Sequence, residues 1–413
     1  MLLQALKKRI IRGHRMFRTL WFKIFNIVLV FVVAKAYVSQ IDPSGYGQYM
    51  IIHGYLLTIS TVFGSGNGLY VFHQLTGAGN ARRATVFEGF TIVAITSFML
   101  WVVGYIVLTH FLNTDLNLFY LSVSFASYSL AAFSCEVSRL WVRGDGYMML
   151  KDTVRALTIL VVILVFPTRE SEILVAAGGI VSMIVAGAYL LMKVRLYEWD
   201  KTHVGFLPSN LVNQLKHGTS IGISKGLQIF RGWIEIFLGG VLFSEYWVGM
   251  YSLFLRLAKL VNLPIVALDA DIARPLAAFT KGESLSKMVE KQVKYSKWLS
   301  TVFGLGAILI TVPFIQFYAN DVTSVAVVTC VILILSNMFN SYFGPIGVVS
   351  QLGRLKKEYI FSALVSILVL AVSSYLLVPI FGVVSLALMS LVSKQFWNWY
   401  IYQAVYNHYG YKF

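Results

Sequence analysis

Charge is scarce in this sequence. Asp, Glu, Lys and Arg make up 13% of its 413 residues, about half the share of a soluble domain. Long polar stretches are missing too, so no folded domain fits between the apolar runs. Cysteine occurs only at Cys135 and Cys330, each inside an apolar run, which excludes a disulfide framework and a cysteine metal site. There is no Walker motif and no His-Glu-x-x-His, so ATP-driven transport by this chain alone is excluded and enzymatic activity is not expected. We read the protein as a non-enzyme with no catalytic residues, no metal and no cofactor.

What is present is apolar. Hydrophobic residues are 58% of the chain. They gather in runs about 20 residues long, the length at which a helix crosses a bilayer. Barrel strands would leave shorter, alternating segments. Twelve spans are predicted, near 20–38, 48–72, 86–109, 118–139, 153–168, 173–192, 218–241, 246–268, 299–318, 323–345, 359–378 and 381–402. The fold class is therefore an all-α polytopic membrane protein. The longest connections, near 193–217 and 269–298, have room for a surface helix each.

The net charge is +16, and its placement matters more than its size. The predicted outward loops hold a single basic residue, Arg169, flanked by Glu170 and Glu172. The inward segments hold many, among them Arg82, Arg83, Arg143, Lys151, Lys193, Arg195, Lys287 and Lys356. The N-terminus adds Lys7, Lys8, Arg9, Arg12, Arg15 and Arg18, with no Ala-x-Ala-like cleavage site after the first run. Positive charge stays inside, so both termini are read as cytoplasmic. The basic face meets anionic phospholipids, which leaves nucleic acid without support. Single-cysteine labelling of intact cells is expected to mark positions 115 and 321 from outside, and positions 287 and 356 only after permeabilisation. Labelling of position 287 from outside would refute this topology.

A weak internal repeat accompanies the spans. Gly47 and Tyr49 after the first helix match Gly249 and Tyr251 after the seventh. Gly146 after the fourth matches Gly353 after the tenth. The chain is accordingly divided into two six-helix bundles, 1–216 and 217–413, related by a pseudo-two-fold axis along the membrane normal.

Some charges fall inside the spans, where each costs roughly 2.5–3.5 kcal/mol by insertion scales. Ser224, Gln228, Arg231 and Glu235 share one helical face of the seventh span, with Lys225 beside them. Arg231 and Glu235 are one turn apart and are expected to pair. On the eighth span Ser252, Arg256, Lys259, Asn262 and Asp269 form a similar stripe, with Asp271 just beyond. Arg231 lies about 20 Å and Arg256 about 15 Å into their spans. One reading is a structural ion pair that locks two helices. The other is a hydrated cationic cavity for an anionic cargo, lined by Arg231, Arg256, Lys259, Gln228 and Lys225. Glu136, Arg139 and Arg143 share the inner end of the fourth helix, and the two arginines are candidates for a cytoplasmic entrance. Trp397, Trp399 and Tyr400 are read as interfacial belt residues.

The stretch Gly45-Tyr-Gly-Gln-Tyr49 after the first helix resembles Wzx-type flippases of the multidrug/oligosaccharidyl-lipid/polysaccharide (MOP) exporter superfamily. So does a seventh helix with Glu235 leading into Val248-Gly-Met-Tyr251 and Arg256, and Pro275 followed by a basic linker. The resemblance implies two six-helix bundles around a central cavity, like those of MATE transporters, working by alternating access. It implies a cargo, an oligosaccharide on undecaprenyl pyrophosphate, flipped to the outer leaflet of a bacterial inner membrane. Such cargo serves O-antigen, capsule or exopolysaccharide synthesis, with a polymerase and a chain-length regulator as partners. Proton or sodium coupling would fall to Glu136, Glu235, Asp269 or Asp271.

Three alternatives stay open. A drug/cation antiporter of the same superfamily should have a cavity dominated by carboxylates. A lipid II flippase shares the anionic cargo, and its family commonly has fourteen helices. A non-transporting envelope scaffold would have no need of Arg and Lys at mid-depth.

Overall fold

The computed structural model describes residues 21, 24–77, 83–111, 118–142, 149–166, 170–196, 208–263, 283–319, 321–344, 346 and 355–409. Among these residues every regular element is helical. The elements are α1 (Ile24–Gln40), α2 (Pro43–Ser60), α3 (Gly66–Gly77), α4 (Arg83–Phe111), α5 (Leu118–Ser138), α6 (Val154–Val165) and α7 (Ser171–Leu196). They continue with α8 (Pro208–Leu242), α9 (Glu245–Lys259), α10 (Glu283–Leu309), α11 (Thr311–Tyr318), α12 (Ser324–Tyr342), α13 (Lys356–Phe381) and α14 (Val383–Tyr409). One π-helical turn, Thr61–Ser65, joins α2 to α3, and another, Met149–Thr153, leads into α6. With α2–α3 and α10–α11 each taken as one rod, the described residues hold twelve rods, at the twelve predicted spans.

Local chemistry sets several boundaries. Asp42 caps α2 by accepting from the Gly45 amide at 2.6 Å, and Pro43 at the first turn has no amide hydrogen to leave unpaired. Thr323 caps α12 through the Ala326 amide at 3.2 Å. Gly382, with φ +53°, separates α13 from α14 in a conformation that side chains resist. The α10–α11 rod bends by 52°, where Pro313 cannot bond the carbonyl four residues back and its ring presses on it. α4, α7, α12 and α13 are each apolar and long enough to cross a membrane alone. α13 is the most apolar of them and mostly exposed, as expected of a helix that faces lipid. Within the two long connections, residues from 208 extend α8 and residues from 283 extend α10.

The chain divides into two compact units, Met1–Phe230 and Arg231–Phe413. The boundary lies inside α8. The cause is glycine packing within the first unit. Gly218, Gly222 and Gly226 lie four apart on one face of α8, a small-residue face of the kind that lets membrane helices approach closely. An added Cβ at Gly222 would collide with the Val62 carbonyl, and one at Gly218 with the Asn67 side chain. On the other side of this rod, a Cβ at Gly64 would collide with the Ser129 carbonyl of α5. The π turn is thus held backbone to backbone between α5 and α8. Gly222→Leu is expected to cost about 1–3 kcal/mol or more through overpacking, read as a lower unfolding midpoint in detergent. Gly232→Leu on the same helix, where nothing lies within 4 Å, should leave the midpoint unchanged. Equal midpoints for the two variants would refute the close approach.

Around this contact Val71, Leu75, Val86, Val93, Phe133, Val137, Leu190 and Val194 form the apolar core of the first unit. In the second unit Val293, Ile346, Leu355, Tyr359, Trp397, Ile401 and Val405 form a core on α10, α13 and α14.

Candidate functional site

The second unit gathers most of the mid-depth charge. Glu235 of α8 is buried, with 5% of its surface exposed. Its Oε1 meets Lys394 Nζ of α14 at 3.0 Å, and its Oε2 accepts from the Tyr251 hydroxyl of α9 at 2.8 Å. One carboxylate therefore ties three helices. Arg231, one turn before it, does not form the expected pair with Glu235. Its guanidinium lies 3.9 Å from the ring centroid of Trp397, a desolvated cation–π contact. Side chains of α8 and α14 that face each other win over neighbours four apart on one helix, because Lys394 and Trp397 supply both partners from the same face. Trp397 is accordingly buried in the core, not placed in an interfacial belt. Trp399 beside it is exposed.

Lys259 is close enough to Glu235, Lys394 and Arg256 to interact with each electrostatically. Arg231 likewise senses Glu235. Lys259 is exposed and Arg256 half-buried. Of the polar stripe on α9, Ser252 is buried and bonds the Val248 carbonyl at 2.7 Å. Asn262 is engaged in structure, donating to Asn337 at 2.7 Å and accepting from Ser341 at 2.8 Å. The structure thus brings together four of the candidates, Arg231, Glu235, Arg256 and Lys259, and adds Lys394. Among the described residues, four cations accompany one carboxylate.

The first unit holds a second cluster. Glu136 of α5 accepts at Oε1 from Lys225 Nζ of α8 at 2.9 Å and from Ser65 Oγ at 2.7 Å. Arg139 reaches its Oε2 at 3.1 Å. Lys225 also donates to Ser65 at 3.1 Å. Ser65 ends the π turn, and such turns mark functional sites often enough to be noted. Lys225 is therefore ion-paired within its own unit, whereas the sequence reading placed it on the cationic stripe. Gln228 is exposed. Asp269, Asp271 and Arg143 lie outside the described residues.

Two mid-depth cations escaped the sequence reading. Lys394 lies about 16 Å along α14 from Val383, deep enough for hydropathy counting to have found it. Arg155 lies near the N-terminal end of α6, where it reads as a boundary residue. Yet it is only 7% exposed and sits 4.2 Å from the ring centroid of Tyr128. The segment Gly218-Thr-Ser-Ile-Gly222 matches Gly-x-Ser-x-Gly in letters. It lies within helix α8, with Ser220 accepting at its backbone carbonyl from Ser224 Oγ. It lacks the strand-to-helix turn that a nucleophile elbow requires.

The fold is that of the MOP superfamily of membrane transporters. An inward-facing multidrug resistance MATE family transporter of that superfamily aligns with 92% of this chain and 95% of its own, at a TM-score of 0.71 and 10% identity. The lipid II flippase MurJ, in an inward closed conformation, aligns with 93% of this chain and 86% of its own, at 0.70 and 12%. A MOP superfamily transporter from Pyrococcus furiosus, described by the reverse polarity of its binding pocket, aligns with 95% of each chain at 0.62 and 12%. At these identities the likeness establishes the fold. No protein-family model and no curated protein matches the sequence.

Proposed function

We propose that the protein is a flippase that moves an undecaprenyl-pyrophosphate-linked oligosaccharide from the cytoplasmic to the outer leaflet by alternating access. The observation that carries this reading is the cation excess among the described residues of the second unit, where Arg231, Arg256, Lys259 and Lys394 lie about Glu235. Such an excess at membrane depth is costly, and an anionic cargo offsets it. Pyrophosphate suits these groups, since Arg engages phosphate oxygens through a bidentate fork and Lys acts as a compact point charge. A cationic drug would be repelled by the same cluster. Of the neighbours in fold, MurJ is named as a lipid II flippase, and the Pyrococcus furiosus transporter is described as having a pocket of reverse polarity that suggests a different function. Lipid II is itself a pyrophosphate lipid, so the MurJ description agrees with an anionic cargo on this fold.

The test is reconstitution of the full chain into vesicles that carry a labelled undecaprenyl-pyrophosphate oligosaccharide in one leaflet. Parallel vesicles carry labelled lipid II or a cationic dye. Faster movement of the oligosaccharide lipid than in protein-free vesicles is expected, with no dye movement. Movement of lipid II alone would replace the cargo assignment. Dye movement without lipid movement would overturn the reading.

A further inference from the structure

The first unit contains a polar cluster, a half-buried histidine against a buried tyrosine and arginine, that the anion reading does not use. His53 on α2 and Tyr128 on α5 each lie about 15 Å along their helices from Pro43 and Leu118. Arg155 lies about 15 Å before the end of α6 at Val165. His53 Nδ1 and the Tyr128 hydroxyl are 3.0 Å apart. The imidazole is stacked on Tyr49, with centroids 5.4 Å apart and planes 18° from parallel. The Tyr128 ring is fully buried and carries the Arg155 guanidinium on its face. Among the described residues Arg155 has no carboxylate within ion-pair distance, and its Nε has no hydrogen-bond partner. Among the described residues the other titratable groups nearby include Tyr37 and Tyr46, packed on Tyr49, the buried Glu172, which acts on Tyr37, and the buried Cys135 of α5, which interacts electrostatically with Arg155.

The hydrogen bond fixes the charge of the imidazole. A buried hydroxyl needs an acceptor for its proton. Among the described residues the Tyr128 hydroxyl has one partner, His53 Nδ1. With Tyr128 donating, that proton has its acceptor in Nδ1, and in this arrangement the ring is neutral with its proton on Nε2. A proton from water that converts the ring to imidazolium would occupy Nδ1. It would leave the Tyr128 proton without an acceptor and set a second cation across that ring from Arg155. Protonation of His53 and this packing of α2, α5 and α6 exclude each other.

We propose that His53 is a proton-binding site linked to conformation, neutral in the packing described here and protonated in a second state in which Tyr128 no longer donates to it. As the coupling ion of transport it rests on the flippase reading above. Its proton chemistry does not.

The experiment is nitrogen NMR of histidine-labelled full-length protein in lipid nanodiscs, with the His53 ring assigned by its loss in His53→Gln. At pH 7 the wild-type Nδ1 should be unprotonated. Arg155→Gln and Tyr128→Phe should each bind the proton about tenfold more tightly or better, and Arg155→Lys should stay near wild type. A doubly protonated ring in wild type at pH 7, which needs no variant to fold, would overturn the proposal. So would equal proton affinity in wild type and Arg155→Gln. In the vesicle assay His53→Gln should flatten the dependence of lipid movement on a pH gradient. An unchanged dependence removes the coupling role alone. Failure of the wild type to move any lipid removes the flippase reading and leaves the ring measurement standing.

Discussion

Lys394→Ala should destabilise the protein by about 3–5 kcal/mol, the usual cost of breaking a buried ion pair from one side. The substitution leaves Glu235 buried without its ion-pair partner, with the Tyr251 hydroxyl and the more distant Lys259 and Arg231 to balance its charge. Unfolding of purified protein in detergent reads the loss directly. The double variant Glu235→Gln with Lys394→Met removes both charges and should recover most of it, because the desolvation cost disappears with the pair. Arg231→Ala is the informative contrast. It loses a cation–π contact worth roughly 0.5–2 kcal/mol and leaves no carboxylate unpaired. If Arg231→Ala proved as damaging as Lys394→Ala, Arg231 would be the true partner of Glu235. If Lys394→Ala were within about 1 kcal/mol of wild type, the pair would not be holding α8 to α14.

This contrast also marks where the sequence is readable. The spans are legible because a bilayer imposes a length and apolarity that any helix must meet, and all twelve predicted positions hold a rod. Mid-depth charge on α8 and α9 is legible for the same reason. Pairing is not. The four-residue spacing of Arg231 and Glu235 shows that they share a face, but not which way each side chain turns. Glu235 found its partners on α14 and α9, and no local pattern connects position 235 to position 394. Arg155 was hidden differently. Its place at the edge of a predicted span suggests an interfacial residue, whereas the π turn before α6 and the contact with Tyr128 bury it. The two tyrosines of the weak repeat make unlike contacts, since Tyr49 stacks on His53 and Tyr251 donates to Glu235.

The anion reading meets its strongest test at Arg256. This residue lies on α9 beside Lys259, half-buried, within the electrostatic reach of the Glu235–Lys394 pair through that lysine. If Arg256 holds the pyrophosphate in transit, Arg256→Lys keeps the charge and loses the fork, so export should fall partially. Arg256→Ala removes a charge-assisted contact worth about 1.5–3 kcal/mol, a fall of roughly tenfold to a hundredfold if it acts in the limiting step. Arg256→Glu should abolish export, because a carboxylate repels the anion and also draws Lys259 away from it. Stability should move less than function, since removing a cation from mid-depth relieves its desolvation. The assay is restoration of surface glycan in a strain lacking the gene, normalised to protein in the membrane. A graded loss from Lys through Ala to Glu at equal abundance supports anion holding. Wild-type export by Arg256→Glu would make Arg256 a packing residue, and the cargo contact would then fall to Arg231 and Lys259.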